Sequence, residues 1–286
     1  MLINVGAKPC YVDSEGNTAL LIAAASQPID IIKLLVDNHA DVNHCNTKGD
    51  TALLIAAKDQ PIDIIKLLVG NLNNISHCDT KGNTAAMVAI RQNSVEVFQL
   101  LLEFGATITA EQCNETAALH KVAQHGSVDL LKKLLSIGAD VNHLNADKQL
   151  ALHRACQSGD SDMVQVLLDQ GSSADVQDKD GLTPLHVAAK YNAVNCCELL
   201  MHVLKTPDSI VHVLDSKKRS VLGCSFYYSS EDVICLFIRT LKKRQICLSD
   251  LKDAITCGVN CELLNKLNQL CDESDLSLHN LADIYK

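Results

Sequence analysis

The sequence predicts an all-α fold, a solenoid of short antiparallel helix pairs stacked on one another and joined by hairpin loops. Three observations carry that expectation. The same residues return every 33 positions, apolar residues recur at helical spacing inside each period, and helix-starting and helix-ending residues fall at fixed places within it. Arrays of this kind grow by addition, so a length of 286 residues does not count globular domains.

The period is read first. Residues 13–45 and 46–78 match at 21 of 33 positions and share Gln-Pro-Ile-Asp-Ile-Ile-Lys-Leu-Leu-Val. Thr18, Thr51, Thr84, Ala117, Leu150 and Thr183 are equally spaced, and so are Gly6, His39, Leu72, Gly105, Gly138 and Gly171. Such regularity over six units marks a repeat architecture.

Each element of the period has a physical reason. In residues 17–25, Ala19, Leu20, Ile22, Ala23 and Ala24 make a short first helix whose small residues let neighbours approach closely. In residues 28–36, Ile29, Ile32, Leu35 and Val36 give an amphipathic second helix. Pro28 and Pro61 are placed at its first position, where a missing N–H costs nothing. Asp30 and Asp63 follow at the positive helix end. Gly105, Gly138 and Gly171 are expected to close the second helix in a left-handed cap, with weaker caps at His39 and Leu72. A single unit, shorter than roughly 40 residues, buries too little to fold alone, so stability must come from stacking.

Asp178-Lys-Asp-Gly-Leu-Thr-Pro-Leu-His-Val-Ala-Ala189 resembles the ankyrin signature, in which a Gly-containing turn leads into Thr-Pro-Leu-His and a helix. Leu134-Leu-Ser-Ile-Gly-Ala-Asp-Val-Asn142 resembles its other half, the end of the second helix and the return loop. The resemblance is clear over residues 1–214 and weak over 215–270. It divides the chain into a partial N-terminal repeat (1–12), six repeats (13–214), degenerate repeats capping the stack (215–270) and a tail (271–286). The partial first repeat has no polar cap, which suggests an array cut from a longer parent.

Composition narrows the functions. Aromatics are 3% and Trp is absent, so packing is expected to come from Leu, Ile, Val and Ala. A net charge of −9 argues against nucleic acid as the main partner. No run approaches the roughly 18 apolar residues of a membrane span, and Met1–Gly6 does not read as a secretory leader. The thirteen cysteines are scattered over helical positions and read as reduced thiols of a cytoplasmic protein, with the nucleus as the alternative.

Nothing in the pattern reads as a catalytic site. There is no phosphate loop, no His-Glu-x-x-His, no Cys-x-x-Cys and no nucleophile elbow. Neither cofactor nor metal is expected. His120, His153 and His186 form a column, read as rings bonded to turn backbone in the way the ankyrin resemblance implies. His44-Cys45 and His77-Cys78 stand one repeat apart, about 10 Å, too far to converge on zinc. Lys217-Lys218-Arg219 and Lys242-Lys243-Arg244 read as solvated basic runs. The resemblance also makes Asn43 and Asn142, in Asp-Val-Asn loops, candidates for asparaginyl hydroxylation. Against that stands a structural role in bonding loop backbone.

The resemblance implies a cupped array whose concave face, built from loop tips and first helices, binds another protein. Carried onto this sequence, the partner-binding positions are Lys48, Asp50, Lys58, Asp59, Lys81, Asn83, Arg91, Gln92, Gln124, His125, Lys190 and Tyr191. Tyr191 is the only aromatic among the variable positions considered. The expected function is a non-catalytic, monomeric protein-interaction scaffold. The alternative is a regulatory array within a larger enzyme, ligase adaptor or channel.

Overall fold

A computed structural model describes residues 10–26, 28–72, 74–204 and 213–243. Among them every regular element is a helix. In chain order these are α1 (Ala19–Ser26), α2 (Ile29–Asp37), α3 (Ala52–Asp59), α4 (Ile62–Val69), α5 (Ala85–Arg91), α6 (Val95–Glu103), α7 (Ala110–Glu115) and α8 (Ala118–His125). They continue with α9 (Val128–Ser136), α10 (Ala151–Ser158), α11 (Ser161–Asp169), α12 (Pro184–Lys190), α13 (Val194–Leu204), α14 (Val221–Tyr227) and α15 (Glu231–Lys243). The extended pairing among described residues is limited to isolated bridges such as Cys45 with Thr51 and Leu214 with Ser220. The all-α stack of helix pairs is therefore the fold. Readings that fell on residues 1–9, on the capping repeats beyond residue 243 and on the tail at 271–286 lie outside the described residues.

The chain forms two compact units, Met1–Val122 with Lys133–Ala139, and Ala123–Lys132 with Asp140–Lys286. In the first unit, α1, α3 and α5 pack side by side, each against its own second helix, and α2, α4 and α6 form the second layer. In the second unit, α10, α12 and α14 stack in the same way over α11, α13 and α15. Small residues make the close approach workable: Ala24, Ala56, Ala86, Ala89, Ala155, Ala188 and Ala189 are buried to 1% exposure or less. The core is not purely aliphatic, however. Phe98, Phe226 and Phe237 are buried in it, and Phe98 and Phe237 are its largest fully buried side chains.

Local chemistry sets where each pair begins. Thr51, Thr84, Thr183 and Ser220 cap the first helices, each hydroxyl accepting a backbone N–H three residues on. The second helices differ from the sequence expectation in two respects. Helix α4 ends at Val69 with Gly70 (φ −62°) as its cap, ahead of the Leu72 expected to close it. The starts are also shifted. Pro28 and Pro61 lie just before the helix, with ψ of 150° and 147°, and the helices start at Ile29 and Ile62. That extended ψ is incompatible with a first helical residue, although the fixed φ of proline suits a cap equally well. At the far end, His39 takes the left-handed conformation (φ 60°) that glycine supplies at 105, 138 and 171.

Between pairs, the loops are ordered by one residue. Asp13, Asn46, Asp79, Asn145, Asp178 and Asp215 occupy the same step of their repeats. Each accepts, on one side-chain oxygen, the N–H groups two and four residues on, at 2.8–3.0 Å. The turns are tied to each other by backbone rungs, Thr47 N–H to Glu15 O and Thr80 N–H to Lys48 O in the first unit. Lys179 N–H to Asp147 O and Ser216 N–H to Asp180 O are the rungs of the second. Two turn glycines are required by that close stacking. A Cβ on Gly49 (φ +77°) would stand 2.9 Å from Thr80 N, and one on Gly181 (φ +73°) would stand 2.7 Å from Ser216 N.

The fourth repeat breaks the pattern. Gln112 sits where the others have Asp or Asn, and α7 replaces the hairpin. One methylene longer, Gln112 does not close the short turn. It serves instead as the third residue of a capping box, its Oε1 accepting Thr109 N–H at 3.0 Å while Thr109 Oγ1 accepts Gln112 N–H at 3.2 Å.

Candidate functional site

In the first unit the loop tips and first-helix ends enclose an open cleft of about 440 Å³. Lys48, Asp50, Lys58, Lys81, Asn83, Arg91 and Gln92 line it, with Asp79, Thr80, Leu54 and Val88 between them. The spacing explains the convergence. Lys48 and Lys81 hold the same turn position one repeat apart, and Lys58 and Arg91 the same helix-end position. Asp59, next to Lys58, is exposed and lies outside the lining set.

The charges of the cleft are unequally engaged. Lys48 pairs with Glu15 at 3.5 Å between exposed side chains. Arg91 pairs with Glu115 at the end of α7 and also donates to Asn83. Asp79 is held by its own turn. Its Oδ2 accepts from Asn83 Nδ2 at 2.8 Å, and despite partial burial the bonds from Asn83 and Lys81 and the charge of Lys81 keep its carboxyl below the usual range. Lys58 and Lys81 make no ion pair among the described residues.

In the second unit, Gln124 is half-buried and His125 exposed. Lys190 and Tyr191 belong to a cluster that the sequence reading stopped short of. Lys190 Nζ lies 5.2 Å from the Tyr191 ring centre and 5.1 Å from that of Tyr228. Tyr228 meets Tyr227 edge to face at 5.0 Å, and the Arg219 guanidinium lies 4.6 Å from the Tyr227 ring. Gln157 Nε2 donates to the Tyr191 hydroxyl at 3.2 Å. Tyr191, Tyr227 and Tyr228 are all substantially exposed. The missed signal was in the sequence. With Thr183 aligned to Ser220, Tyr227 and Tyr228 fall on the positions of Lys190 and Tyr191, displaced only by the four extra residues near Pro207.

Arg219 corrects the reading of the Lys217–Arg219 run as solvated. Lys217 and Lys218 are exposed, but the Arg219 side chain is 8% exposed and pairs at 2.7 Å with Asp215, whose side chain is 1% exposed. Although desolvation works against it, the backbone and side-chain bonds from Arg219 keep the Asp215 carboxyl below its usual range.

The histidines are structural where their bonds are seen. His153 Nδ1 accepts Leu150 N–H at 3.1 Å and its Nε2 meets Leu182 O of the next repeat at 3.1 Å. His186 Nδ1 lies 2.8 Å from Thr183 Oγ1. Burial pushes both rings toward the neutral form, His186 down to about 4. His44 and His77 reach back to Gly16 O and Gly49 O, at 2.8 and 3.0 Å. Of the hydroxylation candidates, Asn142 bridges two loops, donating to Gly171 O at 3.1 Å and accepting Ser173 N–H at 3.0 Å. Asn43 is half-buried beside Asp41 and His77 in a separate cleft. Burial raises the thiols of Cys113 and Cys196 to about 11, which makes them poor nucleophiles. Among the described residues no group of His, Cys, Asp and Glu is arranged to hold a metal ion, and no helix is long and apolar enough to cross a membrane.

A family model described as ankyrin repeats (three copies) matches residues 20–112 and again residues 119–209. No curated protein matches the chain.

Proposed function

The chain belongs to the ankyrin-repeat proteins, and from that premise we propose that it is a non-catalytic scaffold that binds another protein through its loop tips and first-helix ends. Ankyrin repeats in general are modules of protein–protein interaction. The observation that carries the reading here is the cleft of the first unit, where seven variable positions from two successive repeats converge on one opening. None of these side chains is needed by the core, so packing does not account for their identities. The proposed contact set is Lys48, Asp50, Lys58, Asp59, Lys81, Asn83, Arg91 and Gln92, with Gln124, His125, Lys190 and Tyr191 in the second unit. Tyr227 and Tyr228 join the latter, since exposed tyrosines supply the large, rigid contact area on which interfaces rest. The protein is proposed to act as a monomeric array in the cytoplasm or nucleus.

The test is capture of partner proteins by the immobilised chain, compared with the K58E/R91E double variant. Capture should fall sharply while helix content is unchanged. Retained capture with intact helix content removes the cleft from the binding face.

A further inference from the structure

Resting on that reading of the cleft, we infer that its occupant is a short acidic segment of the partner protein, held through carboxylates. The lining has four cations arranged two by two: Lys48 and Lys81 on successive turns, Lys58 and Arg91 at successive helix ends. Successive repeats lie about 10 Å apart, the spacing of packed helices. Opposing them are two carboxylates, and Asp79 is already committed to its turn through bonds to Lys81 N, Asn83 N and Asn83 Nδ2. Glu15 and Glu115 each engage one cation at the margins, leaving Lys58 and Lys81 without an ion pair among the described residues.

With Glu15 and Glu115 offsetting two of the four cations and Asp79 held by its turn, the unengaged charge of the lining is Lys58 and Lys81 against Asp50, on a chain of net charge −9. Beyond a Debye length of about 8 Å at physiological salt the rest of the surface is screened, so an acidic segment meets the cleft and little else. Charge of this kind selects the partner and its orientation more than it adds raw affinity. The size agrees. An opening of about 440 Å³ takes a few side chains and not a folded surface. A polyproline II segment turns once every three residues and rises about 3.1 Å per residue, so carboxylates three positions apart share one side and stand about 9 Å apart, close to the spacing of the cations.

The test is a titration of the full chain with a labelled peptide carrying glutamate at every third position among serines. Fluorescence anisotropy at low and physiological salt gives the readout. Binding should weaken about tenfold or more with glutamine in place of glutamate, and by a similar factor in K58E/K81E. The milder K58Q/K81Q variant serves if the reversal disturbs helix content, and it should also weaken binding. Equal binding of the glutamine peptide, or no change in either variant, overturns the inference. So does preferential binding of single-stranded RNA, or of a phosphoserine peptide when the glutamate peptide fails. If partner capture depends on Lys58 and Arg91 but the acidic peptide does not bind, the binding face stands and its acidic occupant falls. If capture survives their reversal with helix content intact, the face itself is wrong.

Discussion

Lys58 and Lys190 occupy the same step of the repeat, at the end of a first helix, yet their ammonium groups meet different surroundings. Lys58 opens onto a polar cleft and makes no ion pair among the described residues. Lys190 is covered by two tyrosine faces, with Arg219 pressed against a third. Beneath the aromatic cluster lies a buried ion pair, whereas the pairs lining the first unit's cleft are exposed and worth at most about 1 kcal/mol each. The difference teaches that the repeat fixes where a side chain stands and leaves its chemistry to the neighbouring repeat. The charged cleft keeps two of its four cations, Lys58 and Lys81, out of any ion pair among the described residues. The aromatic cluster spends two cations on its own rings.

The comparison breaks most visibly at Arg219. Arg219→Ala leaves the Asp215 carboxylate buried without its partner, a cost of about 3–5 kcal/mol. Hydrogen exchange should show protection lost over α14 and α15 while α3 to α6 keep theirs, since stability in a repeat stack is local. Equal loss in both units would show that they unfold together.

Next in size are the turn glycines. Gly181→Ala drives a Cβ to 2.7 Å from backbone and holds alanine at positive φ, and Gly49→Ala does the same at 2.9 Å. Each should cost about 2 kcal/mol, Gly181 the more, as read by urea denaturation. A harmless Gly181→Ala would mean that the rung from Ser216 to Asp180 opens freely.

Acid should separate the units more gently. His186 is neutral in the fold, with a pKa of about 4 against an unfolded value near 6.5. The unfolded chain therefore binds more protons in that window. Stability from this group is full above pH 6.5 and is lost as pH falls toward 4. Asp79, held below 3.8, keeps its contribution until the solution is more acidic still. Exchange followed between pH 7 and 4 should show α12 loosening first, and His186→Gln, which can keep the capping box, should flatten that dependence. Loosening of α5 ahead of α12 would contradict the assignment.

The smallest effect is expected at an exposed second-helix lysine outside both faces. Lys132→Glu should change stability by no more than about 0.5 kcal/mol and leave partner capture intact. Lys133 is not an equivalent control, because its Nζ donates to Leu102 O at 3.0 Å and so closes the end of α6.

Several features escaped the sequence reading for reasons visible in particular residues. Gln112 was legible, since it alone departs from Asp or Asn at the turn-ordering step and stands three residues after Thr109. Tyr227 and Tyr228 were legible once the four-residue shift was applied. Arg219 was not legible. A basic triplet looks the same whether solvent or a neighbouring carboxylate receives it.

The sequence by itself determined the period, the helix pairs, the caps and the turn-ordering residues, because these depend on bonds made within about four positions along the chain. Thr51 to Leu54 and Asp79 to Lys81 and Asn83 are of that kind. Only the tertiary structure decided which charges are consumed and which remain available. Arg91 with Glu115, His44 with Gly16 and Lys190 with Tyr228 are joined across 24 to 38 positions. Stacking creates those contacts, since side chains a repeat apart come within bonding distance only when the core beneath them is buried. Spacing along the chain carries no measure of that distance.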